Sequence, residues 1–81
     1  MGVLRVMTAG GDRSAKWDRA RADAGDPEAL AAVREAERLF VEARARGATA
    51  FRVAPGSLAE RLDRFDPEAD QIVVVPQVAG G

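Results

Sequence analysis

The feature that most constrains the fold is a run of four β-branched residues, Ile72-Val73-Val74-Val75, directly followed by Pro76. A strand that is apolar on both faces belongs in the middle of a sheet, where a helix can cover one of those faces. Pro76 ends such a strand, because proline has no backbone N–H to donate to a neighbouring strand. A chain of 81 residues forms one domain at most, so this strand is expected at the centre of a single sheet.

Three other segments have the composition of strands. Residues 3–7 are apolar and β-branched with one charge in the middle, and residues 13–18 can pair back onto them through turn residues 9–12. Residues 49–53 alternate in polarity, which predicts that Phe51 and Val53 point inward and Arg52 outward. Trp17, near the end of the second strand, is interpreted as a core residue, with a partly exposed partner contact as the alternative.

One long helix is expected to begin at Asp26-Pro27-Glu28 and to end at Gly47. Asp26 can accept hydrogen bonds from the first free N–H groups, Pro27 suits the first helical position, and Gly47 can adopt the left-handed conformation that ends a helix. Glu42 and Arg46 have the spacing of an ion pair on the exposed face. The core-facing positions recur at helical spacing: Ala29, Val33, Ala36, Phe40 and Ala43.

Two segments allow more than one interpretation. Residues 19–25 have no stable apolar stripe and are read as a connection that holds at most a frayed turn of helix. In residues 57–65, Ser57 with Glu60 has the pattern of a capping box, and the leucines beside them favour a short helix. The same residues follow a Pro-Gly turn, so they can equally pair with the third strand.

The order of elements predicts an α+β domain over residues 1–75 and a flexible tail over residues 76–81. A parallel pairing of the first strand with the last would place both apolar strands at the centre of a mixed sheet of four to five strands. The main helix would pack across one face of that sheet, because two hairpins and a helical crossover are the shortest unknotted connection.

Composition excludes several classes of function. Twelve basic residues against thirteen acidic ones leave no strongly basic face, so nucleic-acid binding is not expected. The chain has no cysteine and no histidine, so it lacks thiolate and imidazole ligands for a metal and the commonest catalytic nucleophile and base. No apolar run is long enough to cross a membrane, and residues 1–10 do not have the pattern of a secretory signal. We therefore expect a cytoplasmic protein that is not an enzyme by itself.

The last residues, Pro76-Gln77-Val78-Ala79-Gly80-Gly81, continue past the final strand. With the apolar strand before them, they resemble the C-terminal end of the ubiquitin-like family. They are most similar to its sulfur-carrier branch, the small subunit of molybdopterin synthase and the thiamine sulfur carrier, and also to bacterial ubiquitin-like modifiers. The chain departs from that pattern at Gln77, where a second proline is common. The fold that this resemblance implies is the β-grasp.

The resemblance implies that an E1-like adenylating enzyme activates the carboxylate of Gly81 with ATP. Gly80 and Gly81 have no Cβ that could clash with a narrow channel on that enzyme, and they adopt backbone angles closed to other residues. Pro76, Val78 and Ala79 would contact the same partner. The chain would bind no cofactor itself, since the partner uses the ATP, and a sulfur-acceptor enzyme or a target protein would take the activated product.

The alternative is a non-catalytic β-grasp adaptor whose tail is inert and whose sheet edge or helix face binds a partner. Lys16 is the only lysine, so chains linked through several lysines are impossible. This favours a carrier or a single-copy modifier over a polymer.

Overall fold

The computed structural model of the chain describes residues 1–8 and 10–77. These residues form an α+β fold with one five-stranded mixed sheet, one main helix and one short helix. In chain order the elements are β1 Gly2–Thr8, β2 Gly11–Trp17, α1 Arg19–Asp23, α2 Pro27–Ala45, β3 Thr49–Val53, β4 Glu60–Leu62 and β5 Gln71–Val75.

The strand order in the sheet is β2-β1-β5-β3-β4, so the last strand lies at the centre. β1 pairs with β5 in parallel, with Leu4 opposite Ile72 and Val6 opposite Val74. All four of these side chains are buried. The predictions of a central β5 and of a parallel pairing between the first and last strands are therefore confirmed.

Helix α2 packs on the face of the sheet that carries these four residues. Its buried positions are Ala29, Ala36, Leu39, Phe40 and Ala43, and Val33 is half-buried, which confirms the predicted stripe. Gly47 has φ +89°, as its predicted left-handed conformation requires.

Two local predictions for α2 are wrong. The side chain of Asp26 makes no capping hydrogen bond; its buried Oδ2 lies 3.5 Å from Arg21 Nε, without the geometry of a hydrogen bond. The reason is that α1 runs almost directly into α2 and brings Arg21 beside Asp26. Glu42 pairs with Arg38, one helical turn before it, rather than with Arg46. The distance from Arg38 Nη1 to Glu42 Oε1 is 2.9 Å.

The short helix α1 was expected only as a frayed turn within a connection. Asp18 provides the signal that explains it, because its side chain accepts a hydrogen bond from the backbone N–H of Arg21 at 3.1 Å. This is the N-cap arrangement that a single acidic residue before a helix can supply. For residues 57–65 the structure selects the strand interpretation, since Glu60–Leu62 pairs with β3.

The orientation predicted for β3 is also wrong. Ala50 is buried and points toward α2, and Arg52 lies on the same face, so Phe51 and Val53 point to the opposite face of the sheet. Arg52 is accommodated there because Glu60 and Asp66 both accept hydrogen bonds from its guanidinium group. Ion pairing therefore reverses the orientation that hydrophobicity alone predicts.

An aromatic cluster closes the core at the end of β2. Trp17 is 2% exposed, its ring lies 5.5 Å from that of Phe65, and Phe65 meets Phe40 edge to face at 5.8 Å. The indole N–H of Trp17 donates to the carbonyl of Pro67 at 2.9 Å. The indole also lies against Gly2, where a Cβ would clash with the ring. The interpretation of Trp17 as a core residue is confirmed.

Replacing Phe40 by Ala is expected to lower the free energy of unfolding by about 3–5 kcal/mol, because it leaves a cavity between α2 and Phe65. Chemical denaturation followed by circular dichroism measures this change. Val41→Ala on the exposed face of the same helix is the matched control and should have little effect, since Val41 is 57% exposed. A loss of under about 1 kcal/mol for Phe40→Ala would contradict the assignment of the core face.

Candidate functional site

The candidate site has two parts, the point where the chain leaves the sheet and the face of the sheet that α2 does not cover. β5 ends at Val75, and Pro76 and Gln77 follow it as exposed residues. Of the residues predicted to contact or react with a partner, Pro76 is thus placed at the surface. Val78, Ala79, Gly80 and Gly81 lie outside the described residues.

Gln77 packs against the end of α2. Its side chain lies over Gly47, where a Cβ would clash with Gln77 Oε1. Gly47 therefore has two roles, since it supplies the positive φ that ends the helix and leaves room for Gln77. As a result, the chain that leaves β5 passes beside the C-terminal end of α2.

A small cleft of about 190 Å³ lies at this exit. Met7 and Thr8 form one side of it, Ala43 and Arg46 form another, and Gln77 borders it. The cleft is mostly apolar with one cation, and it is too small for a nucleotide. It can accept an apolar side chain.

The face of the sheet opposite α2, which no helix of residues 1–8 and 10–77 covers, is here called the open face, and it carries the alternate residues of every strand. One row crosses all five strands through directly paired residues: Ser14, Arg5, Val73, Phe51 and Arg61. Val73 and Phe51 at the middle of the row are half-buried, and Arg5 and Arg61 on either side are exposed. The centre of the open face is therefore apolar, with a cation on each side.

A second row runs parallel to the first, through Lys16, Val3, Gln71 and Val53. Its apolar members extend the apolar centre toward the start of β1, and Lys16 adds a third exposed cation at the edge. A partner that covers this face would need an apolar centre with acidic groups around it.

The ion pairs that alter pKa values lie away from the open face. A hydrogen bond to Asp66 raises the pKa of Arg52, and Glu60 adds to this effect. On the exposed side of α2, a hydrogen bond from Arg38 lowers the pKa of Glu35, and the same contact raises the pKa of Arg38. The pairs of Arg52 link β3 to β4 and to the segment after it, and the pair of Arg38 and Glu35 lies along the exposed side of α2. None of these groups lies where the chain leaves β5.

Three of the four acidic residues between β4 and β5, all except Glu68, face an arginine through their carboxylates. Arg52 binds Asp66 at 3.1 Å, Arg19 binds Asp70 at 2.8 Å, and Asp63 lies 3.8 Å from Arg44. These carboxylates therefore serve to fasten the segment before β5 to other elements. Across residues 1–8 and 10–77 no group of three or more ligating side chains is arranged to hold a metal ion.

Within the same two ranges, no helix combines the length and the apolar composition needed to cross a membrane. No protein-family model, curated protein or solved structure matches this chain significantly. The resemblance to ubiquitin-like proteins thus rests on the C-terminal motif and on the order of the elements.

Two features of the site were not predicted from the sequence. The alternation in residues 49–53 predicts Phe51 in the core, so the sequence pattern does not indicate the open face. The signal that could have found it is Arg52 followed eight residues later by Glu60, an acid–base pair that suits cross-strand neighbours on one face. The contact between Gln77 and Gly47 joins residues that are distant in the chain, and no local sequence pattern predicts such a contact.

Replacing Gly47 by Ala is expected to lower the free energy of unfolding by about 1–2 kcal/mol, because a residue with a Cβ is strained at φ +89°. The added methyl group should also displace the side chain of Gln77, which two-dimensional NMR detects as shifted Gln77 signals. Gly56→Ala is the matched control, since Gly56 has φ +73° with open space around it. Equal shifts of Gln77 in both variants would contradict the contact.

Proposed function

We propose that this chain is a ubiquitin-like protein of the β-grasp fold, a sulfur carrier or protein modifier whose Gly81 carboxylate is activated by an adenylating enzyme. The observation that carries the proposal is the position of β5. The strand that leads into the Gly-Gly motif is the central strand of the sheet, and the chain leaves it at the surface. A β-grasp arrangement is compatible with the five-stranded mixed sheet, its parallel central pair and its single main helix.

The chemistry requires only a carboxylate from this chain. The Gly81 carboxylate attacks the α-phosphate of ATP, pyrophosphate leaves, and an acyl-adenylate forms. Sulfide or a partner's thiolate then attacks the Gly81 carbonyl and releases AMP, which gives a thiocarboxylate or a thioester; an amine gives an amide instead. All catalytic groups in these steps belong to the partner, in keeping with a chain that has no histidine or cysteine.

The open face supports docking to that partner. Val73 and Phe51 offer an apolar centre, and Arg5 and Arg61 flank it, so the partner surface should be apolar with an acidic rim. Because Val73 belongs to β5, a partner bound here would lie close to the point at which the tail leaves the sheet. A fixed docking face beside a narrow tail would deliver Gly81 to an active site in one orientation.

The direct test is the mass of the intact protein after incubation with cell lysate, ATP and sulfide. The expected result is a gain equal to the replacement of one oxygen by sulfur, or attachment to another protein through Gly81. Gly81→Ala should leave the free energy of unfolding unchanged and abolish the modification, since a Cβ would clash in the partner's channel. Modification that persists after removal of Gly80 and Gly81 would contradict the proposal, and so would an endogenous protein that never carries Gly81 as its last residue.

Charge reversal on the open face tests the docking step separately. Arg5→Glu combined with Arg61→Glu, and Phe51→Ser by itself, should slow modification of Gly81 by about tenfold or more, because each removes contacts near the centre of the proposed interface. Val41→Ser on the exposed face of α2 is the control and should react at the normal rate. Circular dichroism establishes that each variant is folded. An unchanged rate in both open-face variants would exclude this face as the docking surface.

The open face also favours a second candidate, an adaptor that binds a partner without any reaction at Gly81. Removal of Gly80 and Gly81 separates the two functions. An adaptor keeps its partner when these residues are removed and loses it through Phe51→Ser, whereas a carrier loses its function through either change.

A further inference from the structure

β2 is the edge strand of the sheet on the side of the first hairpin, and its outer side has no neighbour within residues 1–8 and 10–77. The backbone N–H of Val3 donates to the carbonyl of Asp70, at 3.1 Å on the β5 side. Alternate residues of a strand point their backbone groups to opposite sides. Val3, Arg5 and Met7 therefore direct their backbone groups toward β5 and away from β2.

The pairing of β1 with β2 determines which residues of β2 direct their backbone groups away from the sheet. Asp12, Ser14 and Lys16 lie opposite Met7, Arg5 and Val3. Because these are the pairs that exchange no hydrogen bonds across the hairpin, the backbone groups of Asp12, Ser14 and Lys16 point outward from the sheet. All three side chains are exposed. The edge thus presents free backbone groups at three residues in the order acid, neutral, base.

When β2 of a second copy lies antiparallel beside this edge, the order acid, neutral, base places opposite charges next to each other. With Ser14 opposite Ser14 of a second copy, Asp12 lies opposite Lys16 of that copy and Lys16 opposite its Asp12. All three outward-facing residues then pair with outward-facing residues, and each pair can exchange two hydrogen bonds. Neither Asp12 nor Lys16 has an ion-pair partner among the described residues of its own chain, so both charges are available.

Other registers are less favourable. A shift that brings Asp12 opposite Asp12, or Lys16 opposite Lys16, places like charges together and leaves fewer residues paired. A shift of one residue would match outward-facing backbone groups with groups already bonded to β1. On the face toward α2, the favoured register sets Arg13 opposite the small Ala15, so no like charge opposes Arg13. The opposite edge, β4, is only three residues long and offers a much shorter ladder.

We propose that two copies of this chain pair through their β2 edges in antiparallel orientation, with Ser14 at the twofold axis, to form one continuous sheet. Charged residues on an edge strand usually discourage pairing, but here the acid and the base are spaced so that they attract in one register only. β5 lies two strands away from this edge, so the pairing leaves Pro76, where the chain leaves β5, uncovered in both copies. The proposal is therefore independent of the function proposed for Gly81.

Sedimentation equilibrium of the full chain and of its charge variants tests this proposal. The unaltered chain should show a concentration-dependent dimer. Asp12→Lys and Lys16→Asp should each weaken dimerisation by about tenfold or more, because each turns two attractive pairs into two repulsive ones. The double variant Asp12→Lys with Lys16→Asp should restore the dimer, because it exchanges the partners of both ion pairs.

Ser14→Pro provides an independent test of the backbone pairing. Proline removes an N–H that points outward, so the pairing of β2 with β1 should survive while the dimer is lost. Circular dichroism establishes that the variant is folded. A chain that stays monomeric at millimolar concentration would overturn the proposal. Dimerisation of the Ser14→Pro variant would also overturn it. The same holds if the double variant Asp12→Lys with Lys16→Asp does not dimerise.

Discussion

The parallel ladder between β1 and β5 is the interaction on which the rest of the structure depends. Leu4, Val6, Ile72 and Val74 face α2 from these two strands, and the helix covers them with small side chains and Phe40. Because the first and last strands pair at the centre, the sheet is complete only when both β1 and β5 are in place. The same pairing makes the end of the domain leave from the middle of the sheet.

The sheet has two different faces, and β5 contributes to both. Ile72 and Val74 stabilise the core, while Val73 lies between Arg5 and Phe51 on the open face. The sequence indicates that β5 is apolar on both sides and that a helix covers one of them. Here α2 covers one side only, which leaves an apolar centre with a cation on each flank. A protein that binds a partner can use such an exposed apolar centre. Packing of the core does not require it.

Much of the fold could be predicted from the sequence, because its main signals are local. Two of these signals are the β-branched run at residues 72–75 and the helical spacing of Phe40 and its neighbours. Both patterns indicate buried side chains, and burial in the core determines where the two elements lie. Alternation in β3 identified two faces but not which one faces α2, since Ala50 is small and Arg52 is neutralised by Glu60 and Asp66. Of the residues proposed for the site, only Pro76 lies among the described residues, and it is exposed directly after β5, where the local signal of a proline after an apolar strand placed it. The contact of Gln77 with Gly47 and the row across five strands depend on tertiary pairing, which no local pattern contains.

The most direct measurement of the central claim is isotope exchange between pyrophosphate and ATP, in lysate fractions supplied with this protein. Exchange that requires the chain is expected, since formation of the Gly81 acyl-adenylate is reversible. Exchange should be absent with a chain that lacks Gly80 and Gly81 and should be reduced by Phe51→Ser. Exchange that is equal with and without those two glycines would contradict activation at Gly81.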